Sequence, residues 1–276
     1  MPVPIAATEQ IVITASRSPE TEGATPASVT IIDTTRIERL GEPLIPALLR
    51  LAPSVSVAVS GPAGSLSEVR IRGAEANHTL LFIDGIRAND PAAGNIPRFE
   101  LLNADLVSRI EIVRGPQSAL WGSEAIGGVI AVNGTADAPG FRASAEGGAF
   151  GFARGSASAA IASARATLSA ALGAQRATGI DSFSGHGDKD GYRNLSARLR
   201  GTLRIGDRIE LGAAGFAIAG RSEFDGYDLV TFEHADTRDS SRNRLGAGRL
   251  WAQYGAPESR WNARVGASLL GSSNHN

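Results

Sequence analysis

Two hydrophobic rhythms divide the chain near residue 134. In the first part, short apolar runs of different period follow one another. Thr35 to Leu40 and Ile45 to Leu51 carry two short helical periods, before LAPSV. EVRIRG, from Glu68 to Gly73, alternates as a strand, and TLLFIDGIRAN, from Thr79 to Asn89, is two apolar arms around Asp84-Gly85, a strong hairpin pair. From Arg109 to Asn133 the sequence reads RIEIVRGPQSALWGSEAIGGVIAVN: an alternating strand, Gly115-Pro116, one turn of helix, Trp121-Gly122, and Gly127-Gly128 opening a second strand. Glycine and proline placed so tightly fix turns that few other residues tolerate. The pattern predicts a mixed α/β unit over residues 17–134, behind an N-terminal extension of residues 1–16.

Beyond TADAPG (residues 135–140) the rhythm changes to period two. Leu195, Ala197, Leu199, Gly201 and Leu203 alternate with Ser196, Arg198, Arg200, Thr202 and Arg204, and Trp261 to Leu269 repeats the pattern. One apolar and one polar face over about ten residues suits a strand of a transmembrane β-barrel. Seven such strands are expected within residues 135–276, near 141–149, 152–161, 165–174, 195–204, 208–218, 244–253 and 260–270. Tight connections at 162–164, 205–207 and 255–259 alternate with long ones at 175–194 and 220–243, so both long loops share one rim. A rival expectation makes the Ala-rich Phe152 to Gln175 a single helix. The chain has no apolar run of about 18 residues, so no spanning helix is expected.

Arg109 to Asn133 closely resembles the end of the plug domain of TonB-dependent outer-membrane receptors. EVRIRG and the Asp84-Gly85 hairpin resemble further plug strands, and LAPSV resembles the segment after the plug helix, with Ser54 where glycine is usual. The resemblance runs over about residues 9–134 and is closest to the cobalamin branch. It implies an α/β plug followed by antiparallel barrel strands, in the outer membrane of a Gram-negative bacterium. Its partners would be the TonB energy-coupling protein, outer-membrane lipid, and cobalamin as ligand, with a ferric siderophore as the alternative. Such barrels have 22 strands, more than the residues after Gly134 can supply, so the chain is expected to be part of a receptor. Met1 to Ala7 has no basic region of a signal peptide, which suggests a leader already removed or a late start. A secreted β-rich binding or adhesive protein would share the strands but not these motifs.

Composition narrows the chemistry. Net charge is -1, giving no overall field for nucleic acid, and there is no cysteine for disulfides or thiolate metal sites. Only Lys189 of the 27 basic residues is a lysine. No HExxH, Gly-x-Ser-x-Gly, P-loop or dinucleotide fingerprint occurs, so no enzyme and no required cofactor are expected.

Four sets of residues are candidates for function. Glu9, Gln10, Ile11, Val12, Ile13, Thr14 and Ala15 resemble the TonB box, an apolar segment able to join a partner's sheet as an added strand. Arg70, Arg72, Arg109, Glu111 and Arg114 lie on strands that should pack together, and the resemblance implies a plug arginine cluster facing wall carboxylates; a solvated sheet face is the plainer alternative. Ser60, Ser65, Ser67, Asn89 and Asn95 lie in or beside segments that the resemblance makes apical, substrate-facing loops, and plain surface loops would have the same composition. Asp181, Asp188, Asp190, Asp225 and Asp228, with Asp236 near them, could offer hard oxygen ligands to calcium, as comparable loop aspartates do in cobalamin receptors; solvated acidic loops are the alternative.

Overall fold

The computed structural model describes residues 11–12, 20–21, 25–134, 139–183, 187–255 and 261–276. Strands β1 (Ile11–Val12) and β2 (Glu20–Thr21) pair antiparallel. Strand β3 (Ser28–Asp33) leads into α1 (Thr34–Leu40). The Asp33 carboxylate accepts from the Arg36 N–H at 2.9 Å and caps that helix, while Gly41, at φ 66°, ends it. Helix α2 (Ile45–Leu49) has Pro46 in its first turn and buries Ile45, Leu48 and Leu49. Next come β4 (Val55–Val59) and β5 (Ser67–Ile71), which form a ribbon of their own, then β6 (Thr79–Ile83), β7 (Ile86–Arg87), β8 (Asn89–Asp90) and β9 (Ile96–Pro97). Strand β10 (Arg109–Arg114), the single turn α3 (Ser118–Trp121) and β11 (Gly128–Asn133) complete this part.

Its main sheet has the order β3-β10-β11-β6-β7, with β11 parallel to β6. The expected hairpin lies between β6 and β7, where Asp84 (φ 49°) and Gly85 (φ 77°) both take the left-handed conformation of a two-residue turn. Ser54 also sits at φ 60°, the conformation that makes glycine the usual residue there. Ile32, Leu48, Leu81, Ile83, Ile110, Ile112, Ile130 and Val132 are fully buried in one core cluster. Residues 17–134 expressed alone are expected to unfold cooperatively in urea. Ile130→Ala should lower the stability of this piece by about 2–5 kcal/mol, as truncation of a buried isoleucine does. An unchanged urea midpoint would show that Ile130 is not part of a packed core.

The second sheet is an antiparallel meander: β12 (Gly140–Gly147), β13 (Ala153–Ala162), β14 (Ala166–Ala177), β15 (Tyr192–Ile205), β16 (Ile209–Tyr227), β17 (His234–Tyr254) and β18 (Ala263–His275), paired in that order. The rival helix over Phe152 to Gln175 is absent: β13 and β14 fill that stretch and turn at Ser163, whose hydroxyl accepts from the Ala166 N–H at 3.0 Å. The long connection expected from Gly220 to Asn243 is also corrected. Strands β16 and β17 continue as a paired hairpin through most of it, past a register shift at Phe224 to Gly226, leaving residues 228–233 as the tip. Side chains close this extension, because the Thr237 N–H donates to Asp225 Oδ1 and the Gly226 N–H to Thr237 Oγ1.

The sheet is apolar outside and mixed inside, where Phe216, Ile218, Leu245 and Trp251 join the core of the first part beside buried polar groups. Leu195 is 60% exposed and Leu269 84%, while Asn194, Ser196, Arg198, Ser222 and Asn243 are buried against the first part of the chain. In water this arrangement would waste the apolar face, whereas in a bilayer it suits both sides.

Candidate functional site

The inner face of the second sheet meets two single-turn 3₁₀ helices of the first, Phe99–Leu101 and Ala104–Leu106. Asn103 Nδ2 donates to Asn194 Oδ1 on β15 at 2.8 Å, and Asn194 Nδ2 returns a hydrogen bond to the Leu101 carbonyl at 3.0 Å. Ser222 on β16 donates to the Ala63 carbonyl at 2.9 Å. At the hairpin tip, the Asp84 carboxylate lies 3.6 Å from the Arg198 guanidinium and accepts from the Gly134 N–H at 2.5 Å. Arg249 on β17 donates to the Gly85 carbonyl at 2.7 Å, so two wall arginines hold the two residues of one turn.

Three plug carboxylates have been changed by this packing. Glu100 is almost wholly buried; Arg98 Nε donates to it at 2.5 Å and turns its other end to Asn243 of the wall at 2.9 Å. Burial raises the Glu100 pKa above its ordinary value, and Arg98 offsets that only in part. Burial likewise raises Asp105, against the pull of Arg154 on β13 at 3.2 Å. Asp90 ends below its ordinary value: burial pushes it up, but hydrogen bonds from Asn274, Ser272 and the Ala92 N–H outweigh burial.

The expected sets fare differently. Of the seven box residues only Ile11 and Val12 lie within the described residues, and their backbones pair with Thr21 and Glu20. Among the described residues, no wall carboxylate gathers Arg70, Arg72, Arg109, Glu111 and Arg114 into one cluster. Arg70 pairs with Glu68 at 2.6 Å, Arg109 with Glu111 at 2.8 Å, and Arg114 donates to the Pro53 carbonyl at 3.1 Å; Arg72 sits against Gly115. The pairs that do cross the interface have the opposite polarity, with wall arginines Arg154 and Arg198 reaching plug aspartates. Sequence gave no sign of this, since the inward residues of a strand look the same whatever covers them.

The apical set is corrected as well. Asn89 is buried, accepting from the Leu81 N–H at 2.9 Å and donating to the Thr79 and Asn95 carbonyls, so its amide completes backbone pairing instead of facing a ligand. Ser67 is buried on β5 and donates to the Ser65 carbonyl; Ser65 itself is largely enclosed. Asn95 accepts from Arg87 at 3.1 Å and donates to the Asn77 carbonyl. Ser60 alone of the five is exposed.

At the long-connection rim, Asp188, Asp225 and Asp236 come together, each with a carboxylate oxygen within 4.8 Å of the others'. Asp190 is buried and instead holds Ser182, from which its carboxylate accepts both the N–H and the hydroxyl. Asp181 accepts from the Phe183 and Gly187 N–H groups, and Asp228 folds the hairpin tip by accepting from the Val230 and Thr231 N–H groups at 2.8 Å. Asp236 thus stands where Asp228 was expected, because the hairpin extension brings it back beside Asp225.

Residues 21–129 match the TonB-dependent Receptor Plug Domain. The fold is similar to the ferric yersiniabactin uptake receptor FyuA of Yersinia pestis, at 20% identity and a TM-score of 0.70 over 90% of this chain and 41% of that one. It is also similar to the siderophore receptor PiuA of Acinetobacter baumannii, at 15% identity and a TM-score of 0.72 over 92% and 38% of the two chains. A third match is the open form of the ferric-catecholate import receptor Fiu of E. coli K12, at 15% identity and 0.70 over 92% and 40%. The chain spans about two fifths of the length of these receptors. Residues 21–129 thus match a TonB-dependent receptor plug domain, and the seven antiparallel strands that follow have the fold of such a receptor's barrel wall.

Proposed function

We propose that this chain belongs to a receptor of the Gram-negative outer membrane that imports a scarce chelated nutrient, with a ferric siderophore as cargo. The supporting observation is the contrast between the wall's two faces: an exposed apolar outer face, and an inner face whose polar side chains hydrogen-bond the plug while Phe216, Ile218, Leu245 and Trp251 pack into its core. Exposed Phe141, Tyr254 and Trp261 lie near the tight-turn end, where aromatic residues border the apolar band of membrane barrels. The choice of cargo leans on the names of the similar structures, which are receptors for ferric siderophores; the cobalamin expected from the motifs has no such support. Energy would come from the TonB partner acting on the N-terminal box, so no step needs a catalytic group in this chain. In a receptor carrying this chain, TonB-dependent uptake of a ferric siderophore is expected. Uptake of cobalamin but of no iron chelate would overturn the choice, and uptake of neither would overturn the transport reading.

The rim carboxylates form part of the same proposal, now as Asp188, Asp225 and Asp236 rather than the full expected set. Three anions at this spacing repel one another, and calcium would relieve that repulsion while tying the 178–191 loop to the β16–β17 hairpin. Chelator should then weaken cargo binding in the intact receptor, and Asp225→Asn should remove most of that sensitivity. Calorimetry detecting no calcium uptake would leave the cluster as solvated surface.

A further inference from the structure

The plug loop between β4 and β5, residues 60–66, reads SGPAGSL. Its Ser60 N–H donates to the Leu66 carbonyl at 3.1 Å and its Ser65 N–H to the Pro62 carbonyl at 3.1 Å, folding it into a compact turn. So small and glycine-rich a segment has much backbone freedom to lose, and two backbone bonds hold it weakly. Wall residues supply the rest. Tyr192, the first residue of β15, is 2% exposed and packs its ring against Gly64. The ring leaves no space for a Cβ there, and Gly64 takes φ 83°, so two separate reasons require glycine. The Tyr192 hydroxyl donates to the Glu100 carbonyl at 3.4 Å, which fixes the ring in place. Ser222 on β16, in register with Tyr192, donates to the Ala63 carbonyl at 2.9 Å. Two neighbouring strands thus close on the two residues at the tip of one plug loop.

This clamp sits where the long connections emerge. Tyr192 directly follows residues 178–191, and Gly191 is bonded both ways to Glu223 of β16. Its N–H donates to the Glu223 carboxylate at 3.1 Å, and its carbonyl accepts from the Glu223 N–H at 2.9 Å. The loop therefore meets the wall at a point that is itself braced. Its other flank is open: Val59 is 41% exposed, and Ser60, Gly61 and Ala63 are exposed beside it. A molecule arriving at this rim meets an uncovered surface whose backbone shape the wall has already fixed. Ordering a flexible loop in advance spares a ligand that entropy and raises affinity without any new contact.

We propose that Tyr192 and Ser222 are positioning residues that hold loop 60–66 in the shape that receives cargo. The proposal rests on the reading of the chain as part of an importing receptor. Neither side chain need touch the cargo, because both act through Ala63 and Gly64.

This chain has no cysteine, so in the intact receptor, with any other cysteine replaced, Ala63→Cys gives a single attachment point for a nitroxide at the loop tip. With the clamp in place the label's spectrum should be broad and ordered. Tyr192→Ala, and Gly64→Ala whose Cβ displaces the ring, should each add a sharp mobile component, whereas Tyr192→Phe keeps the ring and should stay ordered. Radio-iron import is measured in parallel, without the label, from a ferric catecholate and a ferric hydroxamate. For whichever chelate enters, Tyr192→Ala and Gly64→Ala should raise KM about tenfold, equivalent to about 1.4 kcal/mol, and leave the maximal rate within about twofold. An ordered loop in both variants would overturn the clamp, and a lower maximal rate at unchanged KM would overturn its part in receiving cargo. Import of neither chelate by the unaltered receptor, with the loop mobile in both variants, counts against the transport reading and not against the clamp.

Discussion

A receptor carrying Val12→Pro is expected to bind its cargo from outside and to import none beyond the level of a strain lacking the energy-coupling partner. The argument is one of backbone chemistry. A segment recognised as an added strand is held by main-chain hydrogen bonds, and proline both removes the donor at residue 12 and fixes φ. The structure already shows Ile11 and Val12 in strand pairing, with Thr21 and Glu20. Val12→Ala keeps the donor and should leave import largely intact. Radio-iron uptake and equilibrium binding on the same cells separate the two functions. Full import by Val12→Pro would remove residues 9–15 from consideration as the box.

Arg98→Ala should cost the receptor about 3–5 kcal/mol at neutral pH, because it leaves a buried carboxylate without its ion-pair partner. The pH dependence identifies the cause. Burial raises the folded-state pKa of Glu100, so the folded state holds its proton to higher pH than the unfolded state. Stability therefore falls as pH rises from the unfolded value through the raised one. Removing Arg98 takes away the main influence opposing burial and extends this window upward. The penalty should be largest near neutrality and shrink toward the ordinary carboxylate pKa, where Glu100 becomes neutral. Adding Glu100→Gln should restore much of the loss at neutral pH. Thermal unfolding of the detergent-solubilised variants from about pH 5 to about pH 8 measures this directly. A penalty independent of pH would point to lost packing in place of an unpaired charge.

Local chemistry made much of the fold readable. Asp84-Gly85 specifies its own turn, and the period-two stretches mark strands because a sheet with two unlike faces must alternate. What alternation does not reveal is where a strand ends: Gly220 to Asn243 looks like loop, being rich in charge, yet cross-strand bonds from Asp225 and Thr237 carry the hairpin through it. The interface was hidden for a related reason. Asn103, Asn194 and Glu100 look like surface residues, and only the docking of one sheet against the other buries them. The rim carboxylates were found as a group, but their convergence depends on register, which brought in Asp236 and sent Asp190 and Asp228 to shape their own loops.

The order β3-β10-β11-β6-β7 gives the plug a weak side and a strong one. Strand β3, joined to the N-terminal segment, is an edge strand held by β10 alone, while the opposite hairpin is tied to the wall through Asp84 and Gly85. A tug on the chain ahead of Ser28, directed away from the sheet, meets the Ser28–Arg114 pair first and loads the ladder one rung at a time. Peeling of this kind yields at lower force than shearing all rungs together. The tear line would fall between β3 and β10, while the hairpin stays moored to Arg198 and Arg249.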